Sequence, residues 1–344
     1  MKTKYFKYLA ILFLLMVSCG GPDALVVNVV NSDGSVDRKV ILTYHEDDFD
    51  LAECQVPVDS TWSLDKKMEV SEKGDTTWTL TAEKHFDSVE QINSDYLSHQ
   101  GPNKRMMREA HFKRRFKWFN TVYRFEENIE AALHGIPPSE YFSPGELKYF
   151  YMPDSMIGEL LNGEDSTNIQ VQLDSLEKKE EAWYADCLLR GALFEIGSLN
   201  RTGTFTEIDT SALWNNMEKM RELIPSIGDN NREIFDTVFG KSFYNKHSVL
   251  IDSALSITED KFNIAFEADD YLVQYVMPGS LIATNGYIDT ESKVLWKVDG
   301  DTILASDYLM WAESKVSNRW AWIVSFLFVI FVGIGLFRKR KKTN

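Results

Sequence analysis

The residues that could carry catalysis are scattered through the sequence without a recognisable spacing. The six histidines occur singly, at His45, His85, His99, His111, His134 and His247. The 344 residues contain no Gly-x-Ser-x-Gly elbow, phosphate-binding Gly-rich loop, Cys-x-x-Cys pair or His-Glu-x-x-His helix. The sequence therefore predicts no catalytic residue and no cofactor. A hydrolase site assembled from distant residues stays open as an alternative, because catalytic groups are neighbours in space rather than in sequence.

Two acidic stretches carry oxygen ligands of the kind that a hard cation prefers. Residues 45–50 (His-Glu-Asp-Asp-Phe-Asp) offer four carboxylates, and Asp299 and Asp301 flank Gly300. The first stretch has neither the spacing nor the glycine of a calcium-binding EF-hand loop, which favours a solvated acidic loop. An Asp-Gly pair is ordinary turn chemistry. The sequence predicts no metal site.

The three cysteines have different expected roles. Residues 1–19 have the layout of an export signal, with a basic start, an apolar stretch and then Ser18-Cys19. Residues 16–19 (Met-Val-Ser-Cys) resemble the lipobox of bacterial lipoproteins, which implies palmitate-type acylation of Cys19; a plain cleaved signal is the alternative. Cys54 and Cys187 then remain, and they either form one disulfide or stay free and buried.

An apolar run near the C-terminus predicts a membrane span. Residues 320–337 contain no charge, and five cations follow directly: Arg338, Lys339, Arg340, Lys341 and Lys342. We predict a transmembrane helix over 316–337 and a cytoplasmic tail over 338–344, by the positive-inside rule. Trp320 and Trp322 are expected at the outer interface. The protein is predicted to be single-pass in a bacterial inner membrane, with everything before the span on the periplasmic side.

The charge balance limits the partners of the exported part. The chain has 37 Lys and Arg against 52 Asp and Glu, a net charge of -15. Without the cations of the signal and the tail, the exported part carries about -23. Such a charge repels nucleic acid. The expected partners are the membrane, other envelope proteins and a lipid ligand.

Residues 20–136 have β-type patterns. Residues 25–30 and 36–44 alternate around the turn Asn31-Ser32-Asp33-Gly34, which predicts a hairpin. A further strand is predicted over 76–82 and a short helix over 88–97. Residues 104–119 mix seven cations with four aromatic residues, a pattern that also suits lipid headgroups or nucleic acid. Clean alternation over 117–127 favours a core strand whose charged side faces solvent.

A helical block over 137–262 separates these strands from a second β-rich part over 263–315. Helical periodicity is clearest over 169–196, 210–223 and 232–239. Strands are predicted over 271–276, 280–284, 294–298 and 308–314, in an antiparallel meander with turns at Asn285-Gly286 and at Asp299-Gly300-Asp301. The fold class is therefore α+β: a discontinuous antiparallel β-rich domain, in one sheet, with an inserted helical lobe.

The second β-rich part resembles the LppM-type envelope lipoproteins. The residues that carry the resemblance are Val276-Met277-Pro278-Gly279, Thr284-Asn285-Gly286, Leu295-Trp296-Lys297-Val298 and Ala312. The opening hairpin and the stretch Phe86-Asp87-Ser88 fit the same layout, whereas residues 137–261 have no counterpart. The resemblance covers about half of the chain. It implies a lipid-anchored α+β domain outside the cytoplasm with no assigned chemistry, in a family where some members look like carriers of envelope lipids.

Three functional hypotheses follow from the sequence. The first is a non-enzymatic, membrane-anchored envelope lipoprotein that acts as a scaffold or partner-binding module. The second is a binder or carrier of an envelope lipid or another apolar ligand, which the 44 aromatic residues would suit. The third is a hydrolase with a spatially assembled site.

Overall fold

The computed structural model describes residues 23–44, 56–70, 76–98, 108–162, 166–205, 207–227, 230–267, 270–289 and 293–342. The predicted signal peptide with Cys19, the acidic stretch 45–50 and Cys54 lie outside the described residues.

The described strands form two sheets. In chain order they are β1 (Asp23–Val30), β2 (Val36–Tyr44), β3 (Ser63–Val70), β4 (Thr76–Phe86), β5 (Arg108–Lys117), β6 (Asn120–Ile129), β7 (Tyr271–Val276), β8 (Ser280–Thr284), β9 (Tyr287–Ile288), β10 (Val294–Val298) and β11 (Tyr308–Ser317). The larger sheet has the order β3-β4-β2-β1-β7-β10-β9, and the smaller one has the order β5-β6-β11-β8.

Both sheets combine strands from the two ends of the chain. In the larger sheet β1 pairs with β7, and in the smaller sheet β6 pairs with β11 along their whole lengths. The predicted discontinuous β-rich α+β fold is therefore confirmed. Two details of the prediction were wrong. The described strands form two sheets rather than one, and the pair β1–β7 is parallel, because β7 follows a long helical connection instead of a hairpin.

The predicted antiparallel meander of β7 to β11 was also wrong. Consecutive strands β7 and β8 belong to different sheets, and the chain crosses between them at Pro278-Gly279. Gly279 has a φ of 80°, and a Cβ there would lie 2.4 Å from the carbonyl oxygen of Lys315 in β11. Only glycine allows so close an approach, so the Pro-Gly break changes the sheet rather than merely the strand.

The described helices outside the C-terminus lie between the two β-rich parts, apart from two short ones. They are α1 (Val89–Ser98), α2 (Pro138–Tyr141), α3 (Pro144–Phe150), α4 (Asp154–Leu161), α5 (Ser166–Asn200), α6 (Thr210–Asn215), α7 (Met217–Ile227), α8 (Asn231–Phe239), α9 (Phe243–Glu267) and α10 (Gly300–Leu304). The single helix predicted over 210–223 is two helices that meet at Asn216. The 25-residue helix α9 was not predicted as an element. The domain boundaries themselves stay predictions.

The long helix α5 joins two hydrophobic cores. Its middle part contributes Trp183 and Cys187 to the core between the sheets, and its last part contributes Leu193 and Ile196 to a second core among α6 to α9. Trp183 is a packing residue, as its position on an apolar face predicts, and its indole N–H donates to the Ile136 carbonyl at 2.7 Å.

The predicted turn at Asp299-Gly300-Asp301 is the start of α10 instead. The Asp299 carboxylate caps the helix by accepting a hydrogen bond from the Thr302 N–H at 2.9 Å. Gly300 lies against Phe266 of α9, where a Cβ would be 2.5 Å from the ring. Asp-Gly at this position therefore serves helix capping and close packing rather than a hairpin.

Candidate membrane-interface site

The helix α11 (Arg319–Lys342) follows β11 after a single residue, Asn318. Within the described part of the chain, the segment Arg319–Leu336 of α11 is the one helical stretch long and apolar enough to cross a membrane. The rest of the protein leaves it almost entirely uncovered. This coarse part of the membrane prediction is confirmed; the side and the orientation stay predictions. Trp320 and Trp322 lie in the first turn of α11, and residues 338–342 end it.

Asn318 ties α11 to the tip of the β5–β6 hairpin through its side chain. Its Nδ2 group donates to the carbonyl oxygens of Lys117 and Trp118, at 2.7 and 3.2 Å, and its Oδ1 accepts from the Thr121 hydroxyl at 3.0 Å. Its backbone N–H donates to the Phe119 carbonyl at 2.9 Å, and its carbonyl begins the helix by accepting from Ala321. The Asn318 junction is therefore a bonded connection and not a free linker.

Aromatic rings extend the same contact along α11. Trp118 packs edge-on against Trp320 with ring centroids 5.2 Å apart, and its indole N–H donates to the Ser325 hydroxyl at 2.9 Å. Phe116 stacks on Trp320 at 6.3 Å, and Phe119 packs on Trp322 at 4.3 Å. The exposed fractions of these five rings run from 39% for Phe119 to 56% for Trp322. Together they form an aromatic collar around the start of the apolar helix.

The collar corrects the prediction of a single core strand over 117–127. The alternation holds for Thr121, Tyr123 and Phe125, which are buried in β6. Phe119, however, lies with Trp118 in the turn between β5 and β6. The described residues with positive φ include neither of them, so the turn is not one of the mirror-image types that usually close hairpins. We attribute its position to the contacts with α11, which only the tertiary structure supplies.

A second polar site is a buried network between the two sheets. Arg38 of β2 donates to Glu127 of β6 at 2.5 Å, to Asn28 of β1 at 2.6 Å and to the hydroxyl of Tyr96 of α1 at 2.7 Å. The hydroxyls of Tyr96 and Tyr275 donate to Glu127 at 3.2 and 3.1 Å. Burial alone would lower the pKa of Arg38, but the Glu127 carboxylate, Tyr96 and Tyr275 together outweigh burial and raise it. These groups pair with one another, so the network best fits a structural connection between the sheets.

A third polar group lies where α5, β10 and α10 meet. The Tyr184 hydroxyl donates to Asp301, and Lys297 forms an ion pair with Asp299 at 2.8 Å. Burial, followed by the nearby Asp299 charge, raises the pKa of Asp301 to about 7. Asp301 is therefore a carboxyl group that holds a proton close to neutral pH. Within the described ranges, no group of three or more His, Cys, Asp and Glu side chains is arranged to hold a metal ion.

The histidines that the structure describes lie in separate surroundings. His85 contacts Asp37 at 2.6 Å, and this hydrogen bond raises its pKa. The others have these neighbours: Glu109 for His111, the Phe194 ring for His134 and the Phe243 ring for His247. His45 and His99 lie outside the described residues. The predicted hydrolase site stays a prediction.

Cys187 is buried, and its sulfur forms no disulfide with any of the described residues. Its sulfur lies 3.4 Å from the backbone nitrogen of Ile136, whose N–H donates to it, and burial raises its pKa to about 12. Cys54 lies outside the described residues, so its pairing with Cys187 stays a prediction, as does the lipid on Cys19.

The fold and this site define an α+β protein with two sheets and one candidate membrane helix at its C-terminus. No protein-family model matches the chain, and a search of curated proteins found no match. Among solved structures, the folded domain of the LppM protein from Mycobacterium tuberculosis, determined by NMR, matches 88% of this chain and 95% of its own length, with 7% identity and a TM-score of 0.27. At that score the resemblance is weak and concerns the fold alone.

Proposed function

We propose that the chain is a non-enzymatic, membrane-anchored envelope lipoprotein that acts as a scaffold for a protein partner outside the cytoplasm. Its anchors would be α11 and the predicted lipid on Cys19, which sets the periplasmic side of a bacterial inner membrane as its location. The observation that carries the proposal is the Asn318 junction, which has no flexible linker on either side of it among the described residues. A bonded junction suits a module that presents one surface at a fixed angle to the membrane.

The outer strand β3 offers a surface for such a partner. Among the described strands β3 pairs only with β4, so no described strand covers its outer edge. Leu64, Met68 and Val70 lie on one face of β3, and each is more than half exposed. An open edge with apolar side chains on one face can accept an extended segment of another protein as a further strand.

A flexible spacer tests the scaffold proposal. Glycine and serine residues inserted between Ser317 and Asn318 would separate the exported part from α11 and leave both anchors intact. A spacer of equal length in the exposed turn at Gly203 is the matched control. We expect protein companions recovered with the wild-type chain in mild detergent, identified by mass spectrometry, to be lost only with the first spacer. Recovery that is equal in all three chains, or absent with the wild type, would refute the proposal.

A second pair of variants tests β3. Serine at Leu64, Met68 and Val70 is expected to abolish recovery of the companions. Serine at Asp65, Lys67 and Glu69, which alternate with them on the opposite face, should leave it unchanged.

The two alternative functions stay predictions, and the same extracts separate them. A lipid carrier would bring stoichiometric lipid beyond the covalent anchor and no protein. A hydrolase would lose an activity on one of the six His-to-Ala changes while its stability stayed the same.

A further inference from the structure

Three cations at the end of β5 have no acidic partner among the described residues. Arg114, Arg115 and Lys117 are exposed, and no described carboxylate lies within 4.0 Å of their charged groups. The neighbouring cations differ, because Lys113 and Arg124 both pair with Glu126, at 3.0 and 2.6 Å. A chain with a net charge of -15 thus keeps three unpaired cations within four residues.

These cations lie beside the aromatic collar. Towards the tip of the hairpin, the contacts reach further along α11. Trp118, at the tip, reaches Ser325, whereas Phe116, two residues earlier, contacts Trp320 nearer the start of the helix. Moving back along β5 therefore leads away from the apolar part of α11. Arg114 and Arg115 precede Phe116, so they lie still further from the apolar part of α11.

The depth of the collar matches that of a membrane interface. Ser325 is six residues into α11, or about 9 Å along its axis. The polar region of one leaflet is roughly 5–8 Å thick. Trp118 would therefore sit at the boundary between headgroups and hydrocarbon when α11 spans the bilayer, as aromatic residues of membrane proteins do. The cations would stand in the headgroup layer, where long side chains reach phosphate.

We propose that Arg114, Arg115 and Lys117 form a binding site for the phosphates of anionic lipid headgroups, in the leaflet on which the exported part rests. The argument is charge complementarity next to an apolar helix. The acidic remainder of the exported part is repelled by such headgroups, so the hairpin is the point at which it can approach them. Binding there would orient the module on the membrane. The inference rests on α11 being inserted, as in the proposed function.

Spin-labelled lipids test this site in the full chain. The chain is placed in phosphatidylcholine bilayers that contain a trace of spin-labelled phosphatidylcholine or phosphatidylglycerol. Electron paramagnetic resonance then gives the relative affinity of the two lipids for the protein perimeter. We expect the wild type to prefer phosphatidylglycerol, and the replacement of all three cations by glutamine to reduce that preference about five-fold or more at low salt. Added salt should screen the effect.

Two controls match this change. Glutamine at Lys178, Lys241 and Lys246 removes the same charge from exposed positions of the helical block, and it should leave the preference unchanged. Arg114→Lys with Arg115→Lys keeps the charge and should retain the preference. The basic tail is present in every chain, so differences between variants report the hairpin.

Three results would overturn the inference. An equal preference in the wild type and the triple-glutamine chain would mean that the cations bind no headgroup; an acidic protein surface would give this result. An equal loss in both triple-glutamine chains would mean that net charge alone acts. The absence of any motionally restricted lipid would mean that α11 is not inserted, which refutes the anchoring in the proposed function as well.

Discussion

Replacing Asn318 with alanine should release the tip of the β5–β6 hairpin from α11 while both elements stay folded. The change removes three side-chain hydrogen bonds, to Lys117, Trp118 and Thr121, with lengths of 2.7, 3.2 and 3.0 Å. Such bonds contribute about 1 kcal/mol each when partly exposed. The local opening of the hairpin tip should therefore become easier by about 2–3 kcal/mol.

Hydrogen exchange measures this local opening directly. For the full chain in lipid nanodiscs, peptides that cover residues 113–122 should exchange about 30-fold to 140-fold faster in Asn318→Ala, because each 1.4 kcal/mol is a factor of ten. Peptides from the helical block should be unaffected.

Asn285 provides the matched control at the opposite end of β11. Its Nδ2 group donates to the Leu309 carbonyl at 2.5 Å, and its Oδ1 accepts from the Trp311 N–H at 2.9 Å and the Trp296 indole at 3.1 Å. Asn285→Ala should speed exchange near residues 280–288 and 309–311 and leave the hairpin tip unchanged. The reasoning is refuted if Asn318→Ala leaves the exchange of 113–122 unchanged, or if Asn285→Ala raises it equally.

Three further predictions concern the buried polar groups. Glu127→Gln should destabilise the full chain by about 3–5 kcal/mol in pulse proteolysis over a urea series, because it leaves the charge of Arg38 buried without its counter-ion. The control is Glu126→Gln, which should cost about 1 kcal/mol because the partners of Glu126 are partly exposed. Equal costs for the two changes would contradict this prediction. Between pH 3.8 and about 7, the Asp301 carboxyl holds a proton in the folded state that the unfolded chain releases. The free energy of unfolding of the wild type should therefore fall, relative to that of Asp301→Asn, as the pH rises through this range, by at most about 1.4 kcal/mol per pH unit. A difference between the two chains that stays constant with pH would rule this out. The raised pKa of the Cys187 thiol predicts that alkylating reagents leave it unmodified until the chain is unfolded. A disulfide-linked Cys54–Cys187 peptide in a non-reduced digest would show that this thiol is not present, and the prediction would be wrong.

Local patterns predicted the elements whose environment is regular. The first hairpin and strands β7, β8 and β10 were predicted within a few residues, because apolar residues alternate around strong turn signals. Strand β3 was missed because Asp65, Lys66, Lys67 and Glu69 break up its apolar positions, as an exposed edge strand allows. The break at Asn216 has no Gly or Pro signal. Which strands pair was beyond the sequence, because parallel pairing across a helical block of more than 100 residues leaves no local mark.

The sequence by itself determined the α+β class, the apolar C-terminal helix and the type of residue at each end of it, since these depend on composition and on periods of a few residues. Only the tertiary structure decided what Trp118 and Phe119 do. The alternation of Phe119 with Thr121 favoured a core strand, yet Trp118 and Phe119 form a turn that packs on α11, about 200 residues later in the chain. The role of Asn318, at the start of α11, could not be predicted from the sequence either. One asparagine between a strand and a helix carries no signal until folding brings the carbonyls of Lys117 and Trp118 within hydrogen-bond distance of its side chain.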